Sequence, residues 1–200
     1  MCLEECEQFS SIIDSLLFLA CAENARGGMA ALARRLEIAP ELAAIRDLFS
    51  AGAEVAGVTL TGDAGDAQVD ADRALLRRAI SNLVSNALTH TPRGGVITIS
   101  AGPSDGGASF IEVVDTGAGI PEVNHKAIFD RFDASSASDT SDGAGLGLGL
   151  PITKVIVDLH GGDILLSSVL GKGTRVGVSF PAHRPGGRQS ASGDERVPRT

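Results

Sequence analysis

Tryptophan and tyrosine are absent from this sequence, and aromatic residues fill only 4% of its 200 positions. Any core must therefore be aliphatic, and a hydrophobic content of 43% is enough to build one. Positive charge is scarce: 17 Lys and Arg stand against 25 Asp and Glu, a formal net charge of −8. That balance speaks against nucleic-acid binding, which depends on neutralising phosphates. Cysteine occurs three times, at Cys2, Cys6 and Cys21. The spacing fits no zinc site and the odd number suits a reducing compartment, so all three read as small apolar residues. Long hydrophobic runs are missing too. The longest near the N-terminus, Leu16 to Ala22, is too short to cross a bilayer. The acidic start "LEECEQ" lacks the basic region of a signal peptide. The expectation is a soluble, intracellular chain of one domain plus an appendage.

Glycine, by contrast, is plentiful. In "SDGAGLGLGLPITK" (141–154) it recurs at Gly143, Gly145, Gly147 and Gly149, with Leu146, Leu148 and Leu150 between. A glycine-rich loop opening a helix can aim free N–H groups at an anion. A structural turn is the other reading, while the regular leucines speak against a linker. The stretch is neither a G-x-G-x-x-G nor a G-x-x-x-x-G-K-[ST] fingerprint, which sets aside two common phosphate-binding solutions.

Along the chain, Cys2, Cys6, Phe9, Ile13, Leu16 and Ala20 form a short heptad seam. That helix wants a partner: its own copy in a dimer, or the core of the same domain. Leu36 to Ala39 suggests a strand, and Pro40 starts a helix running to about Gly52. Residues 58–60 and 67–69 read as short strands around the turn "GDAGD". Asp70 or Asp72 caps a strong helix that buries Leu75, Leu76, Ala79, Ile80, Leu83, Val84 and Ala87. Residues 95–101 and 109–115 alternate like paired strands. A helix follows the glycine loop to about His160, and "DILLSS" and "TRVGVSF" form a hairpin over "VLGKG". Residues 182–200 show no apolar period, which predicts disorder. The fold class is α+β: a two-layer sandwich, its mixed, mostly antiparallel sheet covered on one face by helices.

Three further segments carry chemistry. Asn82 and Asn86 lie four apart, on one helix face, and amide oxygens suit Mg²⁺. A merely tolerated polar face is the alternative. Asp115 ends an apolar strand before Gly117 and Gly119; it can accept a bond from an exocyclic amine of a flat ligand, or simply form an Asx turn. "IFDRF" precedes the small, acidic "DASSASDTSDGAG", which suggests a lid anchored by Phe129 and Phe132.

Asn82…Asn86, Asp115-x-Gly117-x-Gly119, Ile128-Phe129-x-Arg131-Phe132, Gly145-x-Gly147-Leu148-Gly149-Leu150 and Gly171-x-Gly173-Thr174 occur in this order. They resemble the N, G1, F, G2 and later glycine boxes of two-component sensor histidine kinases, whose ATP-binding fold is shared with gyrase and heat-shock chaperone ATPases. The resemblance covers about residues 36–181, so the chain divides into 1–35, a remnant of a dimerisation hairpin with a linker; 36–181, the ATP-binding domain; and 182–200, a disordered tail. The N-terminal helix looks like the second helix of the kinase dimerisation hairpin, in the style of membrane-bound heavy-metal sensors.

The resemblance implies roles. Asp115 bonds the adenine amino group, and Asn86, helped by Asn82, holds Mg²⁺ against the ATP phosphates. His90, Gly117, Gly119, Ile120, Arg131, Gly145, Gly147, Leu148, Gly149, Leu150 and Thr174 complete the nucleotide site. The ATPase relatives carry a general-base Glu where this chain has Asn82, which favours phosphoryl transfer to a protein over hydrolysis. The implied partners are a response-regulator receiver domain and a second copy through the N-terminal helix; the implied location is the cytoplasmic part of an inner-membrane sensor. Departures from the pattern are equally specific. None of His90, His125, His160 and His183 lies on the N-terminal helix, so the phosphoacceptor histidine is expected outside this chain, and the chain alone is expected to be inactive. His160 reads as structural and His125 as a surface residue. Thr89 stands where the family usually has Lys or Arg, His90 replaces the common Tyr, and the lid lacks its basic residue. A degenerate nucleotide-binding or dimerisation module without kinase activity is the alternative.

Overall fold

Alternation and helical periodicity are realised in a two-layer structure, seen in a computed structural model that describes residues 33–129 and 148–182. The elements are β1 (Arg34–Glu37), α1 (Ile38–Ala56), β2 (Thr59–Ala64), β3 (Gln68–Ala71), α2 (Arg73–His90), β4 (Val96–Pro103), β5 (Ser109–Asp115), α3 (Gly149–Leu159), β6 (Asp163–Val169) and β7 (Gly173–Phe180). The main sheet has the order β2-β4-β5-β7-β6, and β1 pairs with β3 in a separate two-stranded sheet. β2 and β4 are parallel, while the other three pairs in the main sheet are antiparallel.

The core is aliphatic, as the missing aromatics require. Ile97 and Ile99 of β4, Ile111 of β5 and Val178 of β7 form one cluster with Leu76, Ile80 and Val84 of α2, and Phe180 is its large aromatic member. Fully burying each such side chain contributes about 1.5–3 kcal/mol. The opposite sheet face is mixed: Thr61 bonds Thr98 and Arg175 grips Glu112 through both carboxylate oxygens at 2.8 Å, beside the exposed Val96, Leu165 and Val169.

Several boundaries differ from expectation. The first strand is Arg34–Glu37 rather than Leu36–Ala39, and α1 begins at Ile38, not at Pro40. Pro40 sits inside the first turn, where its missing N–H would have had no intrahelical partner anyway. α1 also runs past Gly52 to Ala56; the stop is Gly57, whose φ of 69° lets its N–H close back on Ala53 and Glu54. The segments around "GDAGD" do not pair with each other. β2 pairs with β4, and β3 with β1. The chain travels through α2 before β4, and such a helical crossover returns it in the same direction, which makes β2 and β4 parallel. The N-terminal helix with its dimer seam, the lid and the tail beyond Ala182 lie outside the described residues.

Two contacts fix the helices to one another. Asp72, not Asp70, caps α2: its carboxylate accepts from Leu75 N–H at 3.0 Å. The Asp72 N–H in turn donates to His160 Nε2 at 3.0 Å, so the His160 proton sits on Nδ1, which donates to Ile156 O at 2.7 Å. His160 is therefore a rivet between the end of α3 and the start of α2, the structural role expected of it. The second contact had no signal in the periodicity. Glu41 of α1 is 2% exposed, with Arg73 Nε 3.2 Å from Oε1 and Arg77 Nε bonded to Oε2. It joins α1 to α2 through two half-exposed arginines.

Candidate functional site

β5 ends in Asp115, which is buried, at 8% exposure, on the helix-covered side of the sheet. Its Oδ1 accepts from Gly117 N–H at 2.8 Å and from Thr174 N–H at 3.2 Å. The first bond is an Asx turn, so that reading of Asp115 holds too, but it engages only one oxygen. Two N–H donors on one oxygen orient the carboxylate and leave Oδ2 able to accept from a ligand. The surrounding backbone approaches too closely for side chains. A Cβ on Gly117 would lie 2.4 Å from His90 O, and one on Gly173 would lie 2.0 Å from Asp115 O. Gly119 combines φ of 71° with a Cβ position 2.2 Å from Val169 O.

α2 passes beside this carboxylate with Asn82 and Asn86 on its flank. Both reach the start of α3: Asn82 Nδ2 donates to Gly149 O at 3.2 Å, and a Cβ on Gly149 would lie 3.4 and 3.5 Å from the two amide atoms of Asn86. Thr153 Oγ1 bonds the same Gly149 carbonyl at 2.9 Å. α3 starts after Leu148 without a side-chain cap, so among the described residues no N-cap side chain answers its N-terminal dipole. Leu148 is buried and Leu150 packs against the main core, so the two described leucines of the alternation pin the helix entrance. Gly145, Gly147 and Arg131 lie outside the described residues, as does the lid.

The structure thus gathers Asp115, Gly117, Gly119, Ile120 and Thr174 at the turn beside the C-terminal end of α2, and Asn82, Asn86, Leu148, Gly149 and Leu150 at the start of α3. His90 closes α2 next to the glycine turn. Its side chain is exposed, and its carbonyl accepts from Ala118 N–H at 3.3 Å, anchoring the glycine turn. Thr89 is exposed, its hydroxyl turned back onto Ser85 O at 2.9 Å. His125 is not a plain surface residue. It is half-buried, with Nε2 3.0 Å from Ile120 O. Ser168 has no counterpart among the residues expected from the sequence: its hydroxyl accepts from Ile120 N–H at 2.8 Å and lies 2.9 Å from both Gly173 O and Thr174 Oγ1. A signal existed, since Ile164, Leu166 and Ser168 alternate onto one face and Ser168 breaks the apolar series.

The arrangement can seat a flat base against Asp115 and direct the remainder of such a ligand toward the asparagines and the start of α3. The family model described as "Histidine kinase-, DNA gyrase B-, and HSP90-like ATPase" matches residues 71–184, more than half of the chain. The chain is 37% identical to the sensor protein IrlS of Burkholderia pseudomallei (strain K96243) over 181 residues, 90% of this chain and 38% of that protein. It is 36% identical to the sensor histidine kinase CusS of Escherichia coli (strain K12) over 180 residues, 90% of this chain and 37% of that protein. It therefore spans less than half the length of these relatives. Among solved structures, the nucleotide-free catalytic domain of histidine kinase ThkA matches with a TM-score of 0.65 and 25% identity, over 74% of this chain and 95% of that one. Full-length ShkA in complex with AMPPNP matches with a TM-score of 0.75 and 25% identity, over 89% of this chain and 36% of that one. The chain belongs to the histidine kinase-, DNA gyrase B- and HSP90-like ATPase family, and it carries the ATP-binding catalytic region of the sensor histidine kinase type.

Proposed function

We propose that this chain binds Mg-ATP and gives up the γ-phosphoryl group to a histidine outside residues 1–200, as the catalytic part of a membrane-anchored, dimeric two-component sensor. A response-regulator receiver domain would then take the phosphoryl group from that histidine. The observation that carries the reading is the half-engaged carboxylate of Asp115. Its Oδ1 is held by Gly117 and Thr174, and Oδ2 remains to accept from the 6-amino group of adenine.

From that anchor the triphosphate runs toward Asn82, Asn86 and the uncapped start of α3, where backbone N–H groups and the helix dipole favour negative charge. Among the described residues no group of three or more His, Cys, Asp or Glu forms a metal cluster. The donor set suits Mg²⁺ nevertheless, because that ion takes oxygen ligands and keeps phosphate oxygens and waters around it. Asn86 would supply one amide oxygen, while Asn82 is already committed through Nδ2 to Gly149 and steadies the helix entrance. The metal, when bound, neutralises charge on the phosphates. In the transfer itself, the bond between the γ-phosphorus and the bridging oxygen breaks, a bond from a histidine ring nitrogen to phosphorus forms, and ADP leaves. No carboxylate stands at Asn82 to activate water, which supports transfer over hydrolysis. None of the described helices is long and apolar enough to cross a membrane.

The test mixes the chain with γ-labelled Mg-ATP and a histidine-bearing dimerisation segment of a sensor kinase. Label should reach the histidine of that segment, none should appear on the chain alone, and Asn86→Ala should abolish transfer. Label on His90, His125, His160 or His183 instead would overturn the proposal. So would ATP hydrolysis with no transfer.

A further inference from the structure

Ser168 occupies a position where strand parity calls for an apolar side chain, following Ile164 and Leu166 on the covered face of β6. Its hydroxyl has one proton and two lone pairs to place. When the proton goes to Gly173 O, one lone pair takes the Ile120 N–H and the other takes the Thr174 hydroxyl, and the group is fully used. These partners come from two segments only: the turn after β5 and the start of β7. The same two segments hold Asp115, through Gly117 N–H and Thr174 N–H.

We propose that Ser168 is the positioning residue of the base-reading carboxylate: by locking the 117–120 turn to Gly173 and Thr174, it fixes the direction in which Asp115 Oδ2 points. This rests on the reading of Asp115 as the acceptor of the adenine amino group. Ser168 does not itself need to touch the nucleotide. The bond from Thr174 N–H to Asp115 is the longer of the two, 3.2 Å against 2.8 Å, and so the one that loosening releases first. Without the Ser168 hydroxyl, the Ile120 N–H loses its acceptor; β7 stays paired with β5 and β6 and Gly171 N–H still bonds Ala118 O at 2.6 Å, but the direct tie between Ile120 and Thr174 is gone. The carboxylate then rotates, and the preorganised acceptor is lost even though Asp115 is still present.

A purely structural serine would lower the unfolding temperature when replaced and leave base recognition alone. The experiment therefore reads a ratio. ATP and purine riboside triphosphate, which lacks the 6-amino group, are titrated calorimetrically with Mg²⁺ into the 200-residue chain. Wild type should prefer ATP by roughly tenfold or more, the range of a hydrogen bond to a charged group. In Ser168→Ala the preference should fall below about threefold by the same scale. Ser168→Cys keeps the size with a weaker hydrogen-bonding group and should fall likewise, so the answer survives if the alanine variant does not fold. Ser168→Thr should restore the preference. An unchanged preference in the alanine or cysteine variant overturns the role of Ser168 while the Asp115 reading stands. A preference near one in wild type overturns the Asp115 reading itself, and with it this proposal.

Discussion

Thr89→Arg should tighten Mg-ATP binding and leave adenosine binding alone. Thr89 lies three residues after Asn86, on the same flank of α2, so a long cation there reaches toward the phosphates. The present side chain contributes little to the helix: it is exposed, and its hydroxyl only bonds back to Ser85 O at 2.9 Å. Removing that bond is compensated by the better helix propensity of arginine, a few tenths of a kcal/mol. A well-formed charge-assisted contact to phosphate is worth about 1.5–3 kcal/mol. Exposure at the end of α2 lowers this to about 1 kcal/mol, near a fivefold gain in affinity. Calorimetric titration of both ligands into both proteins measures it, and the gain should shrink as salt is raised, because the new contact is screened. Unchanged ATP affinity at low salt would refute the reasoning and mean that Arg131 or Lys126 already supplies the cation.

Other perturbations test the supports of the site. Gly173→Ala would place a Cβ 2.0 Å from the Asp115 carbonyl oxygen in a backbone with φ of 104°; it should destabilise by about 3 kcal/mol or more by thermal unfolding and abolish ATP binding. Glu41→Ala strips the buried acceptor from Arg73 and Arg77. Both arginines can swing into water, so the loss should stay near 1–3 kcal/mol in denaturant titration, with ATP affinity unchanged. His160→Phe keeps the ring against Phe180 but removes both hydrogen bonds, and should cost about 1–2 kcal/mol of stability without altering nucleotide affinity.

Much of this architecture is legible in the sequence because it is local. The alternation of residues 95–101 and 109–115 reports strands with one covered face, and the apolar series of α2 reports the helix that covers them. The glycine turn after Asp115 is legible for the same reason, since a carboxylate followed by glycines leaves few local alternatives. The features that the sequence hides are long-range. Nothing within Thr59–Ala64 names Val96–Pro103 as its partner, because pairing depends on where α2 returns the chain. Glu41 reads as a surface carboxylate on a helix until Arg73 and Arg77, more than thirty residues away, are brought over it. Gly52 looks like a helix stop because glycine is costly in helices, yet tertiary packing of α1 carries the helix to Gly57. Strand parity singles out Ser168 as a break in an apolar series, but no spacing rule encodes the hydrogen bonds through which Ser168 and His125 each serve a site residue.

The central claim is that Asp115 reads adenine, and Asp115→Asn tests it most directly. The amide oxygen can still accept from Gly117 and Thr174, so the fold and its unfolding temperature should be kept, while the oxygen facing the ligand becomes an N–H donor. Calorimetric titration should show Mg-ATP bound by wild type and at least about tenfold more weakly by the variant. Equal affinity in two equally folded proteins would contradict the account and remove Asp115 from the nucleotide site.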